Sequence, residues 1–442
     1  MSDFGARQDE RINALEAKTA EAIADLERRV AELEGGGQPP IEPPPGGGDA
    51  IVPGDGWQGD TPTPPATGDY TATAKWNVVP HQRVDNGFRV GVIAHHIDGI
   101  DRVEIAANGG KWLAIKEPSV SDESGCDEYH APLDGLTGPI ELRAIAYPVA
   151  GIPRVLEPLV LYPDRVGSVI ELDAGSYSLR EFIRDLPSEG WLTIKAKDGL
   201  TRDQVSLRAG GQWRSSGHLQ LQGCTIDLPG GQGTLVGRSK NDPNAWLWVD
   251  DCEIVGAGNV DNATAWVSHL WGRSFFTNCG ISEVKHVFYG STGELLARNI
   301  VIRDTYEDVF KAFGLAVNID IKNVYRGANS SKHPDLFEVS VDYTNRNVIF
   351  QDIAASEAKA QGLAGGNVDG FAFVRVDIET QDLAAMQFGR NMRNMLIKDS
   401  RFDSQSGVRL RNIESVDGVV FENSLFNGSD RPTGWDDRIE IR

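Results

Sequence analysis

Apolar and polar positions alternate with different periods in different parts of this 442-residue chain. Over residues 8–34 the apolar positions Ile12, Leu15, Ile23, Leu26, Val30 and Leu33, with Thr19 in the same seam, are 3, 4, 4, 3, 4 and 3 residues apart. That spacing is a heptad seam with a stutter. It predicts an α-helical coiled coil over residues 1–34 that oligomerises through those six apolar side chains. Residues 73–163 instead show short alternating runs at Phe88–Ala94, Arg102–Ala106, Trp112–Ile115, Ile140–Ala146 and Val155–Leu161. Runs of that length separated by turns predict a β-sandwich.

From residue 164 to 442 one pattern recurs: a turn residue, apolar, any, apolar, any, then Asp, Asn or Gly. Clear copies begin at Asn299, Asn318, Asn347, Asn394 and Gly418, and looser ones at His218, Trp246 and Arg273. The starts are 28, 27, 26, 19, 29, 47 and 24 residues apart. One strand per period of that length, with no leucine framework, predicts a parallel β-helix whose coils bury their apolar faces against each other. A helical face made by Leu179, Phe182, Ile183 and Leu186 is expected to cap its first coil.

Aligning the copies produces columns. Cys224, Cys252 and Cys279 share one phase, continued by Thr305, Val324, Ile353, Ser400 and Ser424, which predicts a ladder of small buried side chains rather than a metal site. Trp246 and Trp248 should face outward, and the Trp248 column continues through Phe275, Val301, Ile349, Leu396 and Val420. An outward apolar stripe needs a cover: neighbouring subunits, the chain's own loops, or a sugar stacked on the rings. A further column runs His286-Val-Phe288, Asp308-Val-Phe310, Asp335-Leu-Phe337 and Asp369-Gly-Phe371. It stacks the phenylalanines inside and gathers the carboxylates at a turn, with Glu307, His333 and Glu338 nearby. Grouped carboxylates shift each other's protonation and are the chemistry of glycosidic cleavage, so Asp308, Asp335 and Asp369 are the catalytic candidates. The bland alternative is that each Asp caps a turn. Adjacent His95 and His96 point to opposite faces of a strand and are not expected to share a metal.

Composition changes this picture in three places. Between Gly35 and Gly68 there are 10 Gly and 9 Pro in 34 positions, so residues 35–72 read as an extended tether. Lys and Arg number 43 against 64 Asp and Glu, a net charge of -21, which disfavours nucleic acid as a partner. The start runs straight into charge and no run of 18 apolar residues occurs, so neither a signal peptide nor membrane insertion is expected. Four cysteines in such a chain are not a disulfide framework.

The asparagine column, stacked aliphatics and capping segment resemble right-handed parallel β-helix proteins, a superfamily that includes pectate lyases, polygalacturonases and phage tailspikes. The stretch Gly99–Ile105 followed by Asn108-Gly109-Gly110 resembles immunoglobulin-like modules. The order of coiled coil, tether, immunoglobulin-like module and β-helix is similar to head or tail fibres and spikes of tailed bacteriophages. That resemblance implies an all-β protein on a helical stalk, synthesised in a bacterial host cytoplasm and placed on the virion surface. It further implies a homo-oligomer, a trimer by analogy, bound to capsid or tail proteins through its N-terminus. The implied role is engagement of host-surface polysaccharide without catalysis, with Trp246, Trp248, His333 and Glu338 as glycan contacts. The alternatives are an Asp-based polysaccharide hydrolase or lyase and a purely structural decoration protein. No cofactor is expected, and a calcium ion is conceivable only as a cation for the grouped carboxylates.

Overall fold

The computed structural model describes residues 50–442, except 165, 184–185, 210–216, 229–233, 237–244, 257–265, 271, 291–293, 312–313, 326–333, 340–343 and 382–385. The coiled-coil positions Ile12, Leu15, Ile23, Leu26, Val30 and Leu33, and His333, lie outside these residues. Asp49–Arg442 forms one compact unit.

Two antiparallel sheets make up the first part. One pairs Thr73–Trp76, Arg89–His95, Asp127–Pro132 and Ser119–Val120; the other pairs Leu113–Ile115, Ile100–Ala107, Ile140–Pro148, Arg154–Val155 and Leu159–Leu161. They share a core that includes Val90, Val92, Val103, Ile105, Leu142 and Leu161. The expected single run Val155–Leu161 is two short strands, both paired with Ile140–Pro148. The tether ends earlier than residue 72. Ile51 is fully buried in the sandwich core and bridges to Leu133, and Ala72 is buried in the same core. Backbone hydrogen bonds from Ile51, Gly54, Gly56, Thr67 and Ala72, and one from the Trp57 ring to Glu141 O, tie this Pro/Gly-rich stretch to the sandwich.

The second part is a parallel β-solenoid. From Val169–Leu172 to Glu440–Ile441, its strands form one 24-stranded parallel assembly. Leu179–Glu181 forms a single 3₁₀ turn rather than the longer helix expected. Leu179 is nevertheless buried, and Phe182, Ile183 and Leu186 pack on the core as a cap.

Each coil turns one corner through a residue with positive φ. In register, these are Gly223, Asp251, Asn278, Asn299, Asn318, Asp352, Arg375, Asp399 and Asn423, the non-glycines at φ between 46° and 58°. Asn and Asp tolerate this region because their short side chains bond locally. Here they bond along the stack: Asn318 Nδ2 donates to Asn299 Oδ1 at 2.8 Å, and Asn299 Nδ2 to Asn278 Oδ1 at 3.0 Å. Asn299→Ala is expected to lower stability by about 1–2 kcal/mol, measured by urea unfolding, through lost hydrogen bonds and backbone strain.

The register corrects three columns. Asn347 and Asn394 belong to a different corner from Asn299 and Asn318, together with Gly370 and Gly418. The cysteine ladder runs Cys224, Cys252, Cys279, Ile300, Ile319, Ile353 and Val376, so Thr305 and Val324 are not in it. Its four-member cysteine complement with Cys126 is free and buried, with Cys224 and Cys252 sulfurs 3.6 Å apart. The outward stripe is Gln220, Trp248, Phe275, Leu296, Leu315, Ile349, Ala372, Leu396 and Val420, with Leu296 where Val301 was expected; Val301 is exposed. Coils of unequal length shift the phase, because a period can gain residues at either corner.

The sandwich covers this stripe. Val79, Ile93 and Cys126 pack with Phe275, Leu296, Leu315, Ile349 and Ala372, and Ile97 with Leu396 and Val420. Polar groups pair across the same seam. Asn347 exchanges hydrogen bonds with the Ala74 backbone, Asn394 Nδ2 donates to Thr71 O, and Trp191 Nε1 to Pro80 O. Tyr70 lies so close over Gly418 that a Cβ there would come within 2.4 Å of its ring. Only glycine fits beneath it.

Candidate functional site

The turn that gathers carboxylates is built on an aromatic stack. Phe288, Phe310 and Phe337 occupy successive coils with ring centroids 5.2 and 5.3 Å apart, and Phe350 meets Phe337 edge-on at 4.6 Å. All four are essentially without solvent exposure. Phe337→Ala should therefore cost about 3–5 kcal/mol, read as a fall in the urea midpoint. The next rung after Phe337 is Leu363, not Phe371.

Two residues before each phenylalanine stands a polar side chain: His286, Asp308 and Asp335, followed on the next coil by Gln361. Strand alternation puts Asp335 on the same side as Phe337, which is why the residue is only 4 % exposed. Asp308 Oδ1 accepts the Asp335 backbone N–H at 3.1 Å. His286 bridges two acids, with Nε2 at 3.1 Å from Glu307 and Nδ1 at 3.3 Å from Asp308. Lysines flank them: Lys285 at 3.2 Å from Glu307 and Lys311 at 2.6 Å from Glu338.

Protonation follows from this packing. Burial, with Asp308 and Glu338 adding like charge, pushes Asp335 up to about 8 against the pull of Lys311. Burial opposes a charge on His286, yet its hydrogen bonds to Asp308 and Glu307 hold its pKa above the usual value. Glu307 is held below the ordinary carboxylate range by His286 and Lys285, despite burial acting the other way. Donor atoms of Asp308, Asp335 and Glu338 all lie within 4.8 Å of one another, as do those of His286, Glu307 and Asp308. Either oxygen-rich set has the reach to ligate one divalent cation.

Other expected site residues are elsewhere. Asp369 is in register with Arg346 and Arg393 and lies 3.8 Å from Arg346, on a strand separate from Asp308 and Asp335. The column assumed for it failed because the coil after Asp335 places Gln361 there. Trp246 and Trp248 are not an open sugar platform. Trp246 stacks on His218 at 4.3 Å, with His81 at 5.0 Å and Arg273 over its ring at 4.9 Å. Trp248 Nε1 donates to Thr277 Oγ1, and Trp191 packs on its ring. Glu338 does join the acidic group. Lys285, Lys311 and Gln361 were missed, because which of them stand beside the acids is visible only once the register is known.

No family model matches the chain, and no curated protein matches it. Among solved structures, a family 28 exopolygalacturonase of Yersinia enterocolitica is similar over 83 % of this chain and 98 % of that one, at 10 % identity and a TM-score of 0.30.

Proposed function

We propose that this protein engages a polysaccharide along its β-solenoid and cleaves it at the Asp308, Asp335 and Glu338 cluster. Asp335 gives its proton to the leaving glycosidic oxygen as that C–O bond breaks, and Asp308 or Glu338, ionised, takes a proton from the water whose oxygen bonds the anomeric carbon. The observation that carries the reading is a buried Asp335 with its carboxyl oxygens within 4.8 Å of those of Asp308 and Glu338, the latter ion-paired to Lys311, a setting that favours a proton on Asp335. Glycoside cleavage uses one protonated and one ionised carboxyl flanking the scissile bond. Solvent reaches the group over Glu338 and Glu307, which are more exposed than Asp335.

The wider role proposed is a phage-type virion appendage. Support comes from the order of segments in the sequence: a heptad stalk that oligomerises, a tether, a sandwich of immunoglobulin-like kind as a spacer, and the solenoid. Its ligand is host-surface polysaccharide. Incubating the full chain with a panel of bacterial capsular polysaccharides and lipopolysaccharides should release reducing ends from at least one. The absence of both release and binding across the whole panel would defeat the reading. Imaging of intact particles with a labelled chain tests the appendage role separately.

A further inference from the structure

The seam between sandwich and solenoid holds half-buried imidazoles among cations. His81, from the sandwich, enters a pocket of rings: Tyr162 of its own domain at 5.8 Å, and His218 and Trp246 of the solenoid at 5.0 Å each. Its Nδ1 is sealed from solvent and has no hydrogen-bond partner among the described residues. The charged groups facing this pocket are His218 and Arg273, the latter 3.3 Å from Glu294. His218 itself bonds Gly190 O at 2.8 Å.

At the other end of the seam, His95 Nε2 lies 2.9 Å from Gln351 Oε1, and Gln351 donates onward to Asp127 O. The groups facing His95 are Arg375, Lys398 and Asp352. Each already has a partner: Arg375 binds Asp352 and Asp127, and Lys398 binds Glu422. A proton on His95 therefore adds a third cation where two, Arg375 and Lys398, already act on it against the single carboxylate of Asp352, and protons on His81 and His218 place two charges in ring contact beside Arg273.

We infer that this seam is an acid-sensitive latch, in which protonation of His81 and His95, assisted by His218, releases the sandwich from the solenoid face. Docking requires neutral imidazoles at both ends, while the undocked faces accept the protons in water. Burial is the main reason that His81 and His95 are pushed down to about 4, with Arg273 and His218 acting on the first and Arg375 and Lys398 on the second. His218 is also lowered by burial. A histidine depressed in the docked state contributes stability above its free value of 6.5, and that stability is lost as pH falls toward 4. The latch does not depend on the glycan reading.

The Ala74 amide reports opening, because its N–H donates to Asn347 Oδ1 across the seam at 2.9 Å. Hydrogen exchange of the full chain, corrected for intrinsic rates, should show Ala74 protection falling by up to ~10³-fold between pH 7.5 and pH 5, roughly 30-fold per imidazole. Protection at Ile321, inside the solenoid core, should hold. In a His81→Phe, His95→Asn double variant the fall at Ala74 should shrink below about tenfold. Unchanged wild-type protection, an equal fall in the variant, or equal loss at Ile321 would overturn the latch. Should the variant be undocked at pH 7.5, imidazole NMR of the wild type decides. Neutral His81 and His95 at pH 6 support the latch, and ordinary titration near 6.5 defeats it.

Discussion

Asp335→Asn should abolish polysaccharide cleavage while making the fold more stable in mild alkali. The amide cannot donate a proton to a leaving oxygen, and loss of a general acid costs on the order of 10³-fold in rate. Stability should move the other way. Asp335 binds its proton more tightly when folded than when unfolded, so its favourable contribution is lost as pH rises from about 4 to about 8. Asparagine fills the same space with no charge to bury, so the variant should gain stability over wild type at pH 8 and little at pH 4. The two readouts, reducing-end release and the urea midpoint at both pH values, separate a catalytic acid from a turn cap. Turnover unchanged in the variant would remove Asp335 from the mechanism. In the wild type, activity should fall as pH rises past about 8.

Arg298→Met should open the docked unit, at a cost of about 3 kcal/mol. Arg298 stands on the outward stripe two residues after Leu296 and donates to Asn77 O at 2.8 Å across the seam. Its Nε is sealed from solvent, and burial pulls its pKa down against the pull of Glu128. Glu128 is 2 % exposed and accepts from Asn77 Nδ2 at 2.6 Å and Ser124 Oγ at 3.1 Å. The two charges meet through Asn77, whose carbonyl accepts from Arg298 and whose Nδ2 donates to Glu128, so removing Arg298 takes away the cation that offsets the buried carboxylate. Adding Glu128→Gln to Arg298→Met should therefore recover most of the loss. Thermal unfolding of the single and double variants reads the difference, and additive losses would show that the two charges are not coupled.

The strand Asp127–Pro132, which carries Glu128, shows why part of this fold was not legible. Its sequence, Asp-Glu-Tyr-His-Ala-Pro, shows no polar face turned to water, because Glu128 and His130 are also buried. A strand covered on both sides by protein loses the alternation that reveals strands exposed on one side. Ile100–Ala107 and Ile140–Pro148 were readable because they keep apolar residues inward and charged ones outward. The acidic site was half legible. Asp308, Asp335 and Glu338 were found through the Val-Phe and Leu-Phe pairs beside them, whereas Asp369 was placed with them by a period that the intervening coil breaks.

Local chemistry written in the chain determined that residues 164–442 stack as a β-solenoid, since each coil carries an apolar strand it cannot bury alone and a turn residue suited to positive φ. It also determined the cysteine ladder, which needs only a common phase over three adjacent coils. Tertiary structure alone decided which corner each asparagine occupies, that Leu296 rather than Val301 joins the stripe, and what covers Trp246 and Trp248. The reason is that register between coils depends on how inserted residues divide between corners. The stripe's cover, in turn, depends on contacts between residues more than 200 positions apart, such as the Arg298 side chain with the Asn77 carbonyl.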